Sequence, residues 1–479
     1  MFDEFIDNNK DKMIETICTL IKYPSISDES ISEEGAPFGI NCKNVLDETL
    51  SIAKKMGFRT KNIDGYCGYI EFGEGEELVG IIGHLDVVPA SIEDGWTTPP
   101  FEPNIRDGKI YGRGAIDDKG PVIAALYAMK AVMDNAKVSK RVRLILGLNE
   151  EKNWKCINYY KKMEEHPQVS FSPDAMFPAI YAEKGIMSIS LKHKFLLKDA
   201  KILSFDTKKN ALNVVPKYCE MKIQASHELD LNDYKNEMYN QDIKVEKQEN
   251  NIYVIRSYGV PGHAAFLEKG VNAITNLIRY INENFPVSYY EPNEYKYLQK
   301  LFNLGVFEIE SPEFLSRDDV ASPTEFHVDS FIKDESGILT NNIADIEYDE
   351  NEFLTIKTNL RIPVTYSLDD ILNRYQNLST IFSDITVEAL GKQEPLYIRK
   401  DDPLVEQLVD IYNKKVARRD EPIAIGGGTY ARAFPNSISF GPVFPNEPDM
   451  CHQVDEYASI DNLILSAKIY AEAIYSLSK

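Results

Sequence analysis

Two short runs of almost unbroken apolar residues, LVGIIG at 78–83 and RLILGL at 143–148, constrain this chain most. A strand that is apolar at nearly every position has no face to show to water, so it belongs in a sheet covered on both sides. Between the runs, GPVIAAL at 120–126 opens a helix, with Pro121 in the first turn, where its missing N–H is not needed. Strand, helix, strand in this order predicts an α/β layer: a twisted sheet flanked by helices. The chain has 479 residues, 43% of them hydrophobic, too many for one compact core, so two or three structural units are expected.

Ile6, Met13, Ile14, Ile17, Leu20 and Ile21 recur at helical spacing and predict an amphipathic helix near the N-terminus. After Gly185 the pattern changes. Residues 186–195 alternate like a strand, and Val271, Ile274, Leu277, Ile278 and Ile281 form a helical stripe. Segments 343–348 and 352–362 flank the polar turn Asp349-Glu350-Asn351 as a hairpin. Ser367 with Asp370 reads as a capping box. From about residue 390 the α/β pattern of the N-terminal part resumes. The chain ends in a helix with Ser459 as N-cap and Leu463, Ala467, Tyr470 and Ile474 on one face. The expected organisation is one α/β domain, 1–185 plus 391–479, interrupted by an α+β domain at 186–390.

Formal net charge is −22. A surface this acidic repels phosphate backbones, so no nucleic-acid partner is expected. No stretch reaches the roughly 18 apolar residues that cross a membrane. The acidic N-terminus has no basic region ahead of an apolar run. Six scattered cysteines form no paired framework and read as free thiols. A cytoplasmic protein without membrane association is expected.

Several polar segments interrupt this pattern. His84 and Asp86 lie two apart at a strand end, on the same side, where His84 can bind a metal and Asp86 can orient it. Asp117 and Asp118 are adjacent carboxylates at a helix start; their repulsion favours a cation beside them. Glu150 and Glu151 follow the second apolar run directly, where open α/β sheets place ligands. Neighbouring side chains diverge, so one can bind metal while the other handles a proton. Asp174 sits in a tight turn and His452 in a loop. Each has an ordinary alternative when taken alone: a structural pair, an acidic helix cap, a solvated strand end, a turn residue, an incidental histidine.

Taken together and in order, GHLDVVPA (83–90), GRGAIDDKGP (112–121), NEEKNWKC (149–156), SPDAMFP (172–178), EKG (183–185), NVVP (213–216), PGHAAFLEKGVNA (261–273), NLRIP (359–363), GGGTYAR (426–432) and MCHQVDE (450–456) resemble the ArgE/DapE/aminoacylase/carnosinase family of co-catalytic metallopeptidases, and within it the PepV-type dipeptidases. The resemblance spans essentially the whole chain. It implies a zinc-peptidase-like catalytic domain interrupted by a lid domain. It also implies two divalent metal ions, zinc first, with manganese or cobalt as alternatives. His84 and Asp174 would hold one, Glu151 and His452 the other, and Asp117 would bridge them, joined to Asp118 by a peptide bond that is often cis in the family. Asp86 would orient His84, Glu150 would be the general base, and His263 would stabilise the tetrahedral intermediate. Asn213 and Arg361 would bind substrate, with Gly427 and Gly428 lining its far end. Asn149, Lys152 and Gly262 depart from the family's usual residues and bear on substrate preference.

In the segment 352–362, Leu354, Ile356, Leu360 and Ile362 share one face. Arg361 lies on the other, expected to project out of the lid core and clamp a peptide's C-terminal carboxylate through two parallel hydrogen bonds. The expected function is hydrolysis of dipeptides or very short peptides. An N-acyl amino-acid deacylase and a catalytically silent binding protein of the same fold are the alternatives. The long middle section favours a monomer, with a homodimer as the alternative.

Overall fold

The computed structural model describes residues 1–197, 200–229, 231–236, 241–284, 332–380 and 385–479. The chain forms two compact units. One comprises Met1–Ala182, Leu396–Ile423 and Gly428–Lys479; the other comprises Glu183–Pro395 and Ala424–Gly427. The stretch 285–331, within the expected middle domain, lies outside the described residues.

In the first unit every residue of strand Leu78–His84 is buried, as is all but the first of Arg141–Gly147. These two strands run parallel, Leu78 opposite Arg141 and His84 opposite Gly147. Val169–Ser172 runs parallel on the other side of Leu78–His84, and Ser437–Ser439 continues the parallel set. Cys67–Phe72 and Arg59–Ile63 extend the opposite edge in antiparallel sense, so the sheet is mixed. Helices Lys119–Asn135 and Ile460–Ser478 pack on the central strands, and Ile40–Lys55 and Lys155–Met163 on Cys67–Phe72.

Lys119–Asn135 is buried along nearly its whole length, flanked by Phe2–Ile21 and Ile460–Ser478. A helix apolar all round needs such cover. Of the predicted N-terminal stripe, Ile6, Met13, Ile17, Leu20 and Ile21 are buried and Ile14 is half-buried. The side chain of Ser459 caps the last helix by accepting from the Asn462 N–H.

The second unit holds an antiparallel sheet. Its order is Tyr234–Asn236, Gln241–Gln248, Ile252–Tyr258, Tyr218–Ala225, Ala200–Asp206, Thr340–Tyr348, Phe353–Ile362, Gly185–Lys194 and Thr386–Gln393. Helices Ala273–Asn284 and Leu368–Gln376 bring Ile274, Leu277, Ile278, Ile281, Ile371 and Tyr375 into one core with Met187, Ile189, Leu354 and Ile356. Val271 does not extend the stripe; it precedes the helix and pairs with Val260 in an isolated bridge. At the hairpin turn the Asp349 carboxylate accepts the N–H groups of Asn351 and Phe353. The Ser367 hydroxyl accepts the Asp370 N–H at the start of the next helix.

One buried ion pair braces the first sheet. Arg143, 2% exposed, places Nε 2.7 Å and Nη2 2.6 Å from Glu71 Oε2. Its Nη1 donates to the Tyr160 hydroxyl, and its guanidinium lies over the Tyr69 ring. Arg143→Met removes the main partner of a buried carboxylate. It should lower the unfolding free energy by about 3 kcal/mol, read by urea denaturation. Lys130→Met, which breaks a surface pair with Asp134, should cost about 0.5 kcal/mol or less.

Candidate active site

Three neighbouring parallel strands end side by side at His84, Gly147 and Ser172. The loops leaving them therefore start together, at the edge where open α/β sheets bind ligands. The first carries His84 and Asp86, the second Glu150 and Glu151, the third Asp174. Helix Lys119–Asn135 points its N-terminus at the same edge, with Asp118 at the cap position and Asp117 just before it. Gly83 makes this approach possible. A Cβ there would sit 2.5 Å from both Asp118 Oδ2 and Val122 Cγ2.

The carboxylate of Asp117 spans two imidazoles. Its Oδ1 is 3.0 Å from His84 Nε2 and its Oδ2 is 3.1 Å from His452 Nε2. Asp174 Oδ2 lies 3.6 Å from His84 Nε2, and Glu151 Oε1 lies 2.9 Å from His452 Nε2. Donor atoms of His84, Asp117 and Glu151 fall within 4.8 Å of one another, as do those of His84, Asp118 and Asp174. The Asp117–Asp118 peptide bond is cis. His452 adopts φ +64°, a left-handed conformation that a non-glycine residue holds at some cost.

His84 Nδ1 lies 2.9 Å from the main-chain carbonyl of Asp86, which can only accept. Nδ1 therefore carries a proton, and in the neutral ring Nε2 turns a lone pair toward Asp117 and Asp174. The Asp86 carboxylate sits farther away, 3.5 Å from Nδ1. Its hydrogen bonds go to the backbone N–H groups of Glu150 and Glu151, at 3.1 and 3.2 Å. Asp86 thus meets the His84 ring mainly through its backbone, and its charge anchors the next loop.

The electrostatics follow from crowding. Burial raises the carboxyls of Asp118 and Glu150 well above their usual range and lifts Glu151 to about 7 and Asp174 to about 6. Burial acts the same way on Asp117, but the imidazoles of His452 and His84 outweigh it and hold this carboxyl well below the usual range. Burial pushes both imidazoles down, yet the surrounding carboxylates win and raise them, His452 to about 11. His84 Nε2 and Asp117 Oδ1 are buried and make no hydrogen bond, although they lie 3.0 Å apart. Converging buried carboxylates, imidazole lone pairs and orphaned polar atoms are the donor set a divalent cation takes.

The other predicted residues lie apart from this cluster in sequence and, except Gly428, belong to the second unit. That unit brings their loops together. The Ala264 N–H donates to Asn213 O and the Val215 N–H to Gly262 O, which ties the Asn213 and His263 loops. His263 Nδ1 accepts the Ala265 N–H, leaving the proton of a neutral ring on Nε2. Arg361 takes the face opposite Leu360 and Ile362, as expected, but it is only 4% exposed there. Its Nε donates to Asn359 and its Nη1 to the Gly426 carbonyl, because segment 424–427 returns to cover that face.

Sequence reasoning gave no role to Arg113, Glu456 or Tyr430. Glu456 is fully buried and paired with Arg113. The Tyr430 ring meets the His84 ring edge-on with centroids 6.1 Å apart and packs against Trp154. Its hydroxyl lies 2.7 Å from Cys156 Sγ. All three lie inside motifs of the family pattern, but buried charge and ring packing leave no spacing signal.

A mixed α/β unit whose parallel strands deliver clustered carboxylates and imidazoles defines a metal-binding hydrolase class. The family model for Peptidase family M20/M25/M40 matches residues 80–476, so the chain belongs to that family of metal-dependent peptidases. It is 37% identical over 477 residues to "Putative dipeptidase YtjP" of Bacillus subtilis (strain 168), covering 98% of each chain. It is 33% identical over 492 residues to a "Putative dipeptidase" of Staphylococcus epidermidis, covering 100% and 99%. Among solved structures, human carnosine dipeptidase 1 superposes with TM-score 0.61 at 16% identity, covering 100% of this chain and 98% of that one. The di-peptidase Dug1p of Saccharomyces cerevisiae gives 0.59 at 14%, with the same coverage. At these identities the structural likenesses speak for the fold alone. Among the described residues no helix is long and apolar enough to cross a membrane.

Protons compete with a cation for Glu151 and Asp174, which titrate near 7 and 6. Below those values the carboxyls are protonated and cation affinity falls. Calorimetric titration of chelator-stripped protein with Zn²⁺ or Mn²⁺ should show affinity rising from pH 5.5 to 7.5. Cation at about 100 times its Kd should add ~2.7 kcal/mol of stability. Asp117→Asn should abolish most of that gain.

Proposed function

We propose that this protein hydrolyses the amide bond of dipeptides and very short peptides, using two divalent cations. His84, Asp117 and Asp174 would hold one, and Asp117, Glu151 and His452 the other. The observation that carries this reading is the split of the Asp117 carboxylate, 3.0 Å from one imidazole and 3.1 Å from the other. The names borne by the close relatives support a dipeptide substrate. A pair of divalent cations there supplies Lewis-acid stabilisation of the scissile carbonyl and eases deprotonation of water, the two things amide hydrolysis lacks at neutral pH. Zinc suits the ligands, and manganese or cobalt also fit.

The chain's own residues do the rest. The Asp86 carboxylate fixes the backbone of Glu150 and Glu151. Glu150, its backbone N–H held by the Asp86 carboxylate, in its ionised form takes a proton from the attacking water and returns it to the leaving amine. His263, with its proton on Nε2, donates to the developing oxyanion. Arg361, its guanidinium oriented by Asn359 and Gly426, binds the substrate carboxylate. Asn213, Gly427 and Gly428 contact the remainder of the substrate. A cytoplasmic monomer is part of the same reading.

Two measurements test it. With metal content unchanged, Glu150→Ala should lose ~10²–10⁴-fold in dipeptide turnover. Faster turnover of N-acetyl amino acids than of dipeptides would move the assignment to a deacylase; turnover of neither by the metal-loaded protein would leave a binding protein. Arg361→Lys should raise KM about tenfold or more for dipeptides with a free carboxylate, through loss of a charged hydrogen bond. The matching dipeptide amides should be little affected.

A further inference from the structure

We propose that Glu456, paired with Arg113, is a positioning residue that holds Asp117 and His452 in register and so sets the affinity of the cation assigned to Asp117, Glu151 and His452. The inference rests on that assignment.

Glu456 and Arg113 are buried, at 0% and 4% exposure. Glu456 Oε2 lies 2.7 Å from Arg113 Nη1. Its other oxygen, Oε1, accepts three backbone N–H groups: Gly114 at 3.0 Å, Ile116 at 3.0 Å and Asp117 at 3.3 Å. The Glu456 carbonyl accepts a fourth, from Gly112 at 3.0 Å. The loop 112–117 is thus wrapped around one carboxylate, as backbone nests wrap bound anions. The last amide in that nest belongs to Asp117 itself.

The same pair reaches the other ligand. Glu456 follows His452 by four residues, and Arg113 Nη2 donates to the His452 carbonyl at 3.4 Å. His452 is the residue held in a left-handed conformation. One ion pair therefore governs the backbone on both sides of the 3.1 Å approach between Asp117 Oδ2 and His452 Nε2. A buried ion pair is a poor device for stability, because desolvation offsets most of its attraction. Its value here is geometric: it fixes two chain segments more than 300 residues apart in sequence, as the hydrogen bonds to Glu456 attest. His84 is secured separately, by the Asp86 carbonyl on its ring and the Asp118 carboxylate on its N–H. The consequence is asymmetric. Loss of Glu456 should loosen the cation shared with His452 more than the one shared with His84.

Cobalt(II) titration of the chelator-stripped full chain, by calorimetry and visible absorption, tests this. Wild type should take up two equivalents. Glu456→Gln, which removes the charge, and Glu456→Asp, which keeps it but shortens the reach, should retain the first equivalent. Both should lose ~10–100-fold in affinity for the second, with its visible band weakened. If the glutamine variant does not fold, Glu456→Asp decides alone, since it leaves Arg113 a charged partner. Wild-type affinities for both equivalents in the variants, or parallel loss of both, overturn the inference and leave the functional reading standing. A wild type that takes up no cobalt overturns that reading, and the inference with it.

Discussion

Repulsion among buried carboxylates is the constraint on which the first unit depends. Asp86, Asp117, Asp118 and Glu456 are nearly or wholly buried, and Glu150, Glu151 and Asp174 crowd the same edge. A fold does not gather so much like charge without something to offset it. His84 and His452 supply part of the offset, which is why both imidazoles are raised and Asp117 is depressed. Their positive charge does not balance this many acids. Burial therefore lifts the carboxyls of Glu150 and Glu151, and further positive charge beside them would offset that cost.

The sheet exists to bring these groups to one line. Parallel pairing of Arg141–Gly147, Leu78–His84 and Val169–Ser172 aligns three C-terminal ends, and covered faces make the strands stiff. The helix Lys119–Asn135 is clamped between two others, so its N-terminus is fixed relative to those ends. The clustered side chains then inherit the precision of the core rather than the freedom of the loops. The second unit achieves the same with different means. Backbone pairs tie the Asn213 and His263 loops, and Arg361 holds segment 424–427.

What the sequence disclosed and what it hid divide along physical lines. The apolar runs 78–83 and 143–148 announce buried strands because burial on two faces leaves no alternation, and the strands are found there. His84 and Glu151 stand out because they sit where those runs stop. Asp174 follows the short strand Val169–Ser172, which no apolar run announces, and reads in sequence only as a turn residue within the motif set. Arg361 takes the face expected of it but is buried there. Strand alternation tells which face a residue takes, not what later returns to cover that face, and here segment 424–427 does. Asp86 lies beside the His84 ring, as period-two spacing predicts, and its carboxylate also bonds the amides of residues 150 and 151, which spacing does not reveal. Arg113 and Glu456 were opaque because a buried charge looks, in sequence, like any surface charge.

Three buried acids, Asp86, Asp118 and Glu456, share one role. These carboxyl groups, which are not proposed as ligands, accept backbone amides of residues that are. Asp86 accepts the amides of Glu150 and Glu151, Asp118 accepts the amide of His84, and Glu456 accepts the amide of Asp117. A charged acceptor makes a shorter and stronger bond to an N–H than a neutral one does. A main-chain anchor also fixes a residue without occupying its side chain, which stays available to the centre. The arrangement has a second effect. In the proposed two-cation reading, the carboxyl groups that hold the ligands in place also add oxygen-rich, electronegative surroundings to the site. In that reading, rigidity and cation affinity come from the same residues, since the acids whose burial is costly are also the ones that hold the proposed ligands in place.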